Sequence, residues 1–518
     1  MRSTLYTLII LLSSFSVVSA QKVTVQWTEN TLKEKVTSPL IELVLSDDNT
    51  FIAARGSHTK SLFENKITIS SIERYNSDGK LLTQYILENP KMSSLRGCLY
   101  SDKSFLYLIS ETDKKAKTDQ LLLALGDEKG NIVREEPIIT YPSSPQSEVN
   151  TYSLNTPDNH KLLLVSHNVT KDEKNAQTLD INILIAGNDG KALTNKNIRL
   201  DDKDDRFSYL SAAAINNKGD VLFILKTFNK ENKKLRDVFK VGKEQFVGYS
   251  LSSYILPFGS SVLQKVDIPF DEMNALTVSL NVSRKNDNFL YTGSICDKSG
   301  DHFTGIFYGE IAPDGSLIQN RKSLFAESKR DQNFVLNNDG TTAFDYKPIG
   351  IYPRQDGGSY TVFECNITLV VQASGSYTVS YISRNIIVSS FDKNGELQYH
   401  KLIPKKQRNA HTSFLSVIVA VVNDNLHLIY NEKPSNVNKD FSAKFETSFS
   451  KDLVTIMRII DKEGNISTRE LFSNKTDQMA ISPELYLQSN DNTIIIYGGK
   501  FHNLFINEPR LGILKIEY

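Results

Sequence analysis

The sequence lacks a surplus of charge: its 518 residues carry 60 Lys and Arg against 60 Asp and Glu. No global field therefore favours nucleic acid or an anionic membrane. Cysteine is scarce as well. Cys98, Cys296 and Cys365 are odd in number and far apart, so they form no disulfide framework, and none has the neighbouring Cys or spaced His pair that a zinc site needs. Buried small hydrophobes are the first reading of all three, with a bridge from Cys296 to Cys365 across neighbouring repeats as the second. Long apolar runs are also missing. The one candidate lies in residues 1–20, MRSTLYTLIILLSSFSVVSA. Its basic start, short apolar centre and small residues at Ser19 and Ala20 follow the pattern of a cleaved secretory signal, and the run is shorter than the ~20 residues that span a bilayer. The mature chain is expected to begin at Gln21 and to form one domain over residues 21–518, secreted or periplasmic, with a formal charge of −1 once Arg2 is removed.

What is present is a repeat. The stretch 385–430 shows one full unit: an apolar run turning at Asp392-Lys393-Asn394-Gly395, then a second pair of runs turning at Asn423-Asp424-Asn425. Asp and Asn accept local backbone hydrogen bonds and Gly or Asn takes the φ > 0 position, so both read as β-hairpins. The same kind of apolar run recurs at Phe51, Phe105, Leu162, Val221, Phe289, Tyr360, Leu426 and Ile494, with successive starts 54, 57, 59, 68, 71, 66 and 68 residues apart. Between these runs lies a second set of turns, from Asn76, Asp127, Asn188, Pro313, Asp392 and Asp461, with a weaker VGKEQ from Val241. Each unit thus holds four antiparallel strands, and strands in fours at a fixed period describe an all-β chain, a β-propeller of four-stranded blades. Eight blades are expected, with seven as the alternative. The last unit is one strand short, and the alternating KVTVQWT at residues 22–28 is expected to supply it and close the ring without an exposed edge.

Tight turns on one face leave the longer connections on the other, which becomes the expected binding face. The longest connections read as 250–276, 365–381 and 431–453. The last carries Phe441, Phe445 and Phe449 at every fourth residue, and the middle one carries Tyr377 and Tyr381. These five aromatics are the candidate partner-binding residues, against the plainer reading that they plug the ring. The acidic run 200–206 lacks the Gly and closing Glu of a helix-loop-helix calcium site. Lys401, Lys405, Lys406 and Arg408 read as a solvated basic loop, and the eight scattered histidines as solvated turn residues. Sequons occur at Asn168, Asn281, Asn366, Asn465 and Asn474.

No catalytic constellation emerges. With Trp27 as the single tryptophan, the repeated Trp of quinone-dependent propellers is missing, as are an Asp box ending in an aromatic, the repeat signature of WD proteins and a GxSxG elbow. Carboxylates converging from different blades would leave no linear spacing, so a hydrolase or lyase acting on carbohydrate stays open as the alternative. Neither cofactor nor metal is indicated. The segments FTGIFYGEIAPDGSL (303–317), DGGSYTVFE (356–364), FDKNGELQYHKLIPKKQ (391–407) and SFLSVIVAVVNDNLHLIYNE (413–432) resemble large secreted propeller-like proteins of Bacteroidota. The resemblance covers the second half, implies fold and export, and brings no active site. The expectation is a monomeric secreted or periplasmic binding or scaffold protein, not assigned as an enzyme, holding a protein or glycan partner and no nucleic acid, with no membrane span.

Overall fold

A computed structural model describes residues 22–28, 40–45, 50–60, 65–86, 95–101, 104–113, 115–142, 149–155, 162–171, 177–186, 192–201, 208–228, 249–268, 275–283, 285–296, 303–327, 346–373, 376–410, 412–439, 452–502 and 505–518. Strand β1 (Lys22–Trp27) comes first. Seven consecutive meanders follow, each a four-stranded antiparallel sheet: β2 (Leu40–Leu45), β3 (Phe51–Lys60), β4 (Asn65–Tyr75) and β5 (Leu81–Ile86); β6 (Leu95–Ser101), β7 (Ser104–Asp113), β8 (Thr118–Gly126) and β9 (Ile132–Pro142); β10 (Val149–Asn155), β11 (Leu162–Lys171), β12 (Gln177–Ala186) and β13 (Ala192–Asp201); β14 (Ser208–Ile215), β15 (Val221–Phe228), β16 (Tyr249–Leu256) and β17 (Gln264–Val266); β18 (Ala275–Val282), β19 (Phe289–Cys296), β20 (Phe303–Ile311) and β21 (Leu317–Leu324); β22 (Lys347–Pro353), β23 (Ser359–Ala373), β24 (Ser376–Phe391) and β25 (Leu397–Asn409); β26 (Ile418–Val422), β27 (Asn425–Glu432), β28 (Val454–Ile460) and β29 (Ile466–Ser473). The last three strands, β30 (Ala480–Asn490), β31 (Thr493–His502) and β32 (Phe505–Glu517), take β1 as their fourth member. Lys22 pairs with Glu517 and Trp27 with Gly512, so the amino-terminal strand completes the last sheet as its alternation implied. The first strand of each sheet lies beside the first strand of the next, and β30 returns to β2. This is a β-propeller of four-stranded antiparallel blades.

The strand sequences follow from this packing. A middle strand has a neighbouring sheet on both faces and is buried throughout, as Phe289–Cys296 is, whereas the outer strands β1 and β5 alternate between exposed and half-buried residues. The core is accordingly distributed between sheets. Tyr360, Val362, Ile386 and Val388 meet Val419, Leu428 and Ile456 across one such gap, and Phe472 and Met479 meet Ile494 and Leu514 across the next. Each such side chain contributes ~1.5 to 3 kcal/mol by burial.

The turns are built as their sequences require. Asp392 Oδ1 accepts from the amides of Asn394 and Glu396 at 2.8 and 2.9 Å, and Gly395 holds φ at 73°. Asn423 and Asp424 both take positive φ, 48° and 60°, which is the type I′ geometry that suits a two-residue hairpin.

The turn between β16 and β17 is at Pro257–Ser260, where Ser260 N donates to Pro257 O at 3.0 Å and Gly259 has φ 75°; the turn expected from Val241 lies outside the described residues. Pro257-Phe258-Gly259 is itself a turn signal, and the long connection between β15 and β16 shifts it along the chain from where the repeat period would put it. The supposed connection 250–276 therefore contains β16 and β17. The basic residues 401–408 are not a loop either; they belong to β25. Cys296 and Cys365 are buried thiols and no disulfide joins them, while of Cys98 only its place in β6 is described. No helix among the described residues is long and apolar enough to cross a membrane.

Candidate functional site

The sixth sheet departs from its neighbours. Its first strand β22 stops pairing at Lys347 opposite Glu364, yet β23 and β24 continue to Ala373 and Ser376 as a hairpin that overshoots the blade on the long-connection face. The supposed connection 365–381 is thus mostly strand. The sequence permits this because residues 367–371, ITLVV, are β-branched or apolar with no Gly or Pro to stop them. A bulge re-aims the hairpin at its base: Glu364 pairs with Ile386 and Cys365 with Arg384, leaving Asn385 as the extra residue. Toward the tip, Leu369 and Val370 are 38% and 55% exposed. Consecutive residues of a strand face opposite ways, so apolar side chains stand in solvent on both sides of the hairpin. Among the described residues, no strand pairs with the β22-facing, inner edge of β23 beyond Glu364.

The base is rigid for an electrostatic reason. Glu364, buried, accepts from Ser383 Oγ and Ser416 Oγ at 2.7 Å each and from Asn366 Nδ2 at 2.9 Å, and it forms an ion pair with the buried Lys405. Burial alone would raise its pKa, but the Lys405 ammonium and these donors hold it below the usual carboxylate range. One carboxylate therefore ties β23, β24 and β25 to the connection entering the seventh sheet. Next to it, buried Glu432 is raised by burial and accepts from Asn436 Nδ2 at 3.0 Å and Lys433 N at 2.9 Å. Asn431 Oδ1 takes Thr455 Oγ1 at 3.0 Å and Ile481 N at 3.1 Å, and its amide donates to Ile481 O at 2.8 Å, joining the seventh sheet to the eighth. Two carboxylates with pKa values pushed apart would suit acid–base chemistry, but Glu364 and Glu432 are 1% and 2% exposed. They are closed to a substrate and serve as struts.

Of the five candidate aromatics, Tyr381 is half-buried in β24, paired with Thr368 and Asn409, and Tyr377 lies in the same strand opposite Gln372. Phe441, Phe445 and Phe449 lie outside the described residues, as does most of the acidic run 200–206. His400 and His427 are not solvated turn residues but fully buried. Ser323 and Ser389 hold the two ring nitrogens of His400 at 3.0 and 2.7 Å, across the fifth and sixth sheets. Asn474 is buried with its amide bonded to Phe501 O, which removes it as a glycan acceptor. The exposed pair Leu369 and Val370 escaped the sequence reading because a run that overshoots its blade looks like any other strand.

No protein-family model matches the chain, and no curated protein matches it. Solved structures similar to it include propellers. The WD40 domain of SCAP from fission yeast has a TM-score of 0.41 at 9% identity, covering 96% of this chain and 98% of that one. The Dos1 propeller has a TM-score of 0.41 at 9% identity, covering 92% of each chain. The propeller domain of the Trilobed protease from Pyrococcus furiosus has a TM-score of 0.36 at 12% identity, covering 84% and 95%. At such identities nothing about partners or activity transfers.

Proposed function

We propose that the chain is an exported binding or scaffold protein, a single ring of eight blades whose long-connection face holds a protein partner through the hairpin of the sixth sheet. The observation that carries this reading is the exposure of Leu369 and Val370 on opposite faces of a hairpin whose β22-facing edge no described strand pairs beyond Glu364. An extended segment of a partner could add to that edge by main-chain hydrogen bonds while the apolar side chains supply contact area. Tyr377 and Tyr381 belong to the same hairpin, and Phe441, Phe445 and Phe449, outside the described residues, stay candidate contacts on the strength of the sequence alone. The buried Glu364 base supports the reading, since a binding element held rigid loses less entropy on association. Export is supported by the signal-like pattern of residues 1–20 and by the resemblance to secreted propeller-like proteins of Bacteroidota.

The test compares the mature protein with a Leu369→Ser, Val370→Ser double variant, both immobilised and exposed to the exported proteins of the same cell. The partner should be retained by the first and lost from the second, with thermal unfolding of the two nearly coincident. Equal retention by both would refute the hairpin as the binding element. Recovery of the protein with Met1 intact in the cytoplasm would refute export.

A further inference from the structure

The hairpin of the sixth sheet carries a backbone edge past the end of β22. From Cys365 opposite Arg384 to Ala373 opposite Ser376, β23 and β24 pair in an unbroken antiparallel ladder, while the last pairing of β23 with β22 is at Glu364. At ~3.3 Å per residue the run is about 30 Å long. Its β22-facing edge presents backbone N–H and C=O groups that pair with no described strand.

Native sheets blunt such an edge with charge, proline, a bulge or shortness. Outer strands of this propeller do so: β9 carries Arg134, Glu135 and Glu136, β21 carries Arg321 and Lys322, β29 carries Arg469 and Glu470, and the uncharged β5 is only six residues long. The hairpin has none of these devices. Residues 366–383, NITLVVQASGSYTVSYIS, hold no Lys, Arg, Asp, Glu or Pro, and the register shift of the β23–β24 pair lies at the base of the run, between Glu364 and Cys365. The two faces of the run differ. Ile367 packs against the cluster of Phe303, Tyr346 and Cys365, whereas Thr368 and Val370 stand on the other face and are exposed.

We infer that the partner held by this edge is a second copy of the same chain, the two β23 runs adding to one another antiparallel about a two-fold axis and joining two hairpins into one four-stranded sheet. This rests on the reading of the hairpin as the binding element and names what it binds; it departs from the monomer expected from sequence. Charge favours a copy over other partners. An uncharged edge offers a charged segment no counter-charge and would strip it of water, whereas two uncharged edges meet without burying a charge or opposing like ones. Two-fold antiparallel pairing also sets each face of the run beside the same face of its mate, so that Thr368 and Val370 of one copy neighbour Thr368 and Val370 of the other, β-branched pairs that suit adjoining strands.

Sedimentation equilibrium of the mature protein should show a weight-average mass rising toward twice that of the monomer between about 1 and about 100 µM, with Kd on the order of 10 µM, because a single strand pair lies at the low end of interface sizes. Thr368→Lys should weaken the dimer at least about tenfold by setting like charges side by side, with thermal unfolding nearly unchanged because Thr368 is exposed. Val370→Lys, exposed on the same face, should do the same. Mixing Thr368→Lys with Thr368→Glu should restore a dimer of mixed composition. A mature protein that stays monomeric at about 100 µM, Lys variants that both dimerise as the unaltered chain does, or no dimer from the Lys and Glu mixture would each overturn the inference. A monomer that still retains another exported protein, and loses it in the Leu369→Ser, Val370→Ser variant, would overturn the second copy and leave the hairpin standing as a binding element.

Discussion

Glu364 and Lys405 lie 41 residues apart in sequence and in contact in the fold, and the balance of their energetics is lopsided. An intact buried pair adds little over an apolar pair of equal size, but breaking it strands a charge, at a cost of ~3 to 5 kcal/mol. Glu364→Gln or Lys405→Met should therefore lose stability of that order in urea titrations, while the double variant Glu364→Met, Lys405→Met should recover much of it. The buried histidines set the acid limit. Burial depresses His400 to about 3 and His427 to about 4, both from an ordinary 6.5. Their unfolded forms take up protons below pH 6.5 while the folded forms do not, so stability is full above that pH and falls as pH drops toward 4 and then 3. Glu364, with its lowered pKa, adds its own loss only below the ordinary carboxylate range. Urea midpoints should thus already decline between pH 7 and 5, and the Ser389→Ala, His400→Leu variant should show a shallower decline over that interval. None of this was legible in the sequence: a lysine among lysines and a histidine near a turn carry no mark of the partner that buries them.

Strands and turns were far more legible, because their chemistry is local. The Asp-x-x-Gly turns are specified by four residues, and each middle strand is marked by an apolar run that only burial on both faces explains. The signal failed where two local patterns look alike, as for the β16–β17 turn after a long connection, and for the hairpin of the sixth sheet, whose overshoot depends on where β22 stops rather than on its own residues. The turn glycines allow a direct test of conformational cost. Gly259 and Gly395 have φ 75° and 73°, but a Cβ at Gly259 meets nothing within 4 Å, whereas one at Gly395 would come within 2.1 Å of Gln319 Oε1. Gly259→Ala should cost the ~1 to 2 kcal/mol of a left-handed backbone alone, and Gly395→Ala more than that, unless Gln319 swings away. Measuring both in Gln319→Ala would separate the terms, since Gly395→Ala should then fall to the cost of Gly259→Ala.

At the scale of the whole molecule, closure links the two ends of the chain. Strand β1 pairs with β32 over six residues, Thr28 N donates to Leu511 O at 2.8 Å, and Leu511 N returns to Thr28 Oγ1 at 3.2 Å. The Lys22 and Glu517 ion pair is exposed at 3.8 Å and adds little. The larger contribution is apolar: Val23, Val25 and Trp27 cover Phe472, Leu514 and Ile516. The eighth sheet also abuts the first through β30 and β2, so loosening it unseats neighbours on both sides. Deleting residues 22–28 should therefore lower the melting temperature of the entire protein in one cooperative transition by several degrees, because all the sheets share their cores pairwise. If the last sheet were instead an independent appendage, calorimetry would show the main transition unmoved and a small one lost. A peptide of residues 22–28 added in excess should restore the original midpoint, since it can supply the missing strand and binds only the folded ring.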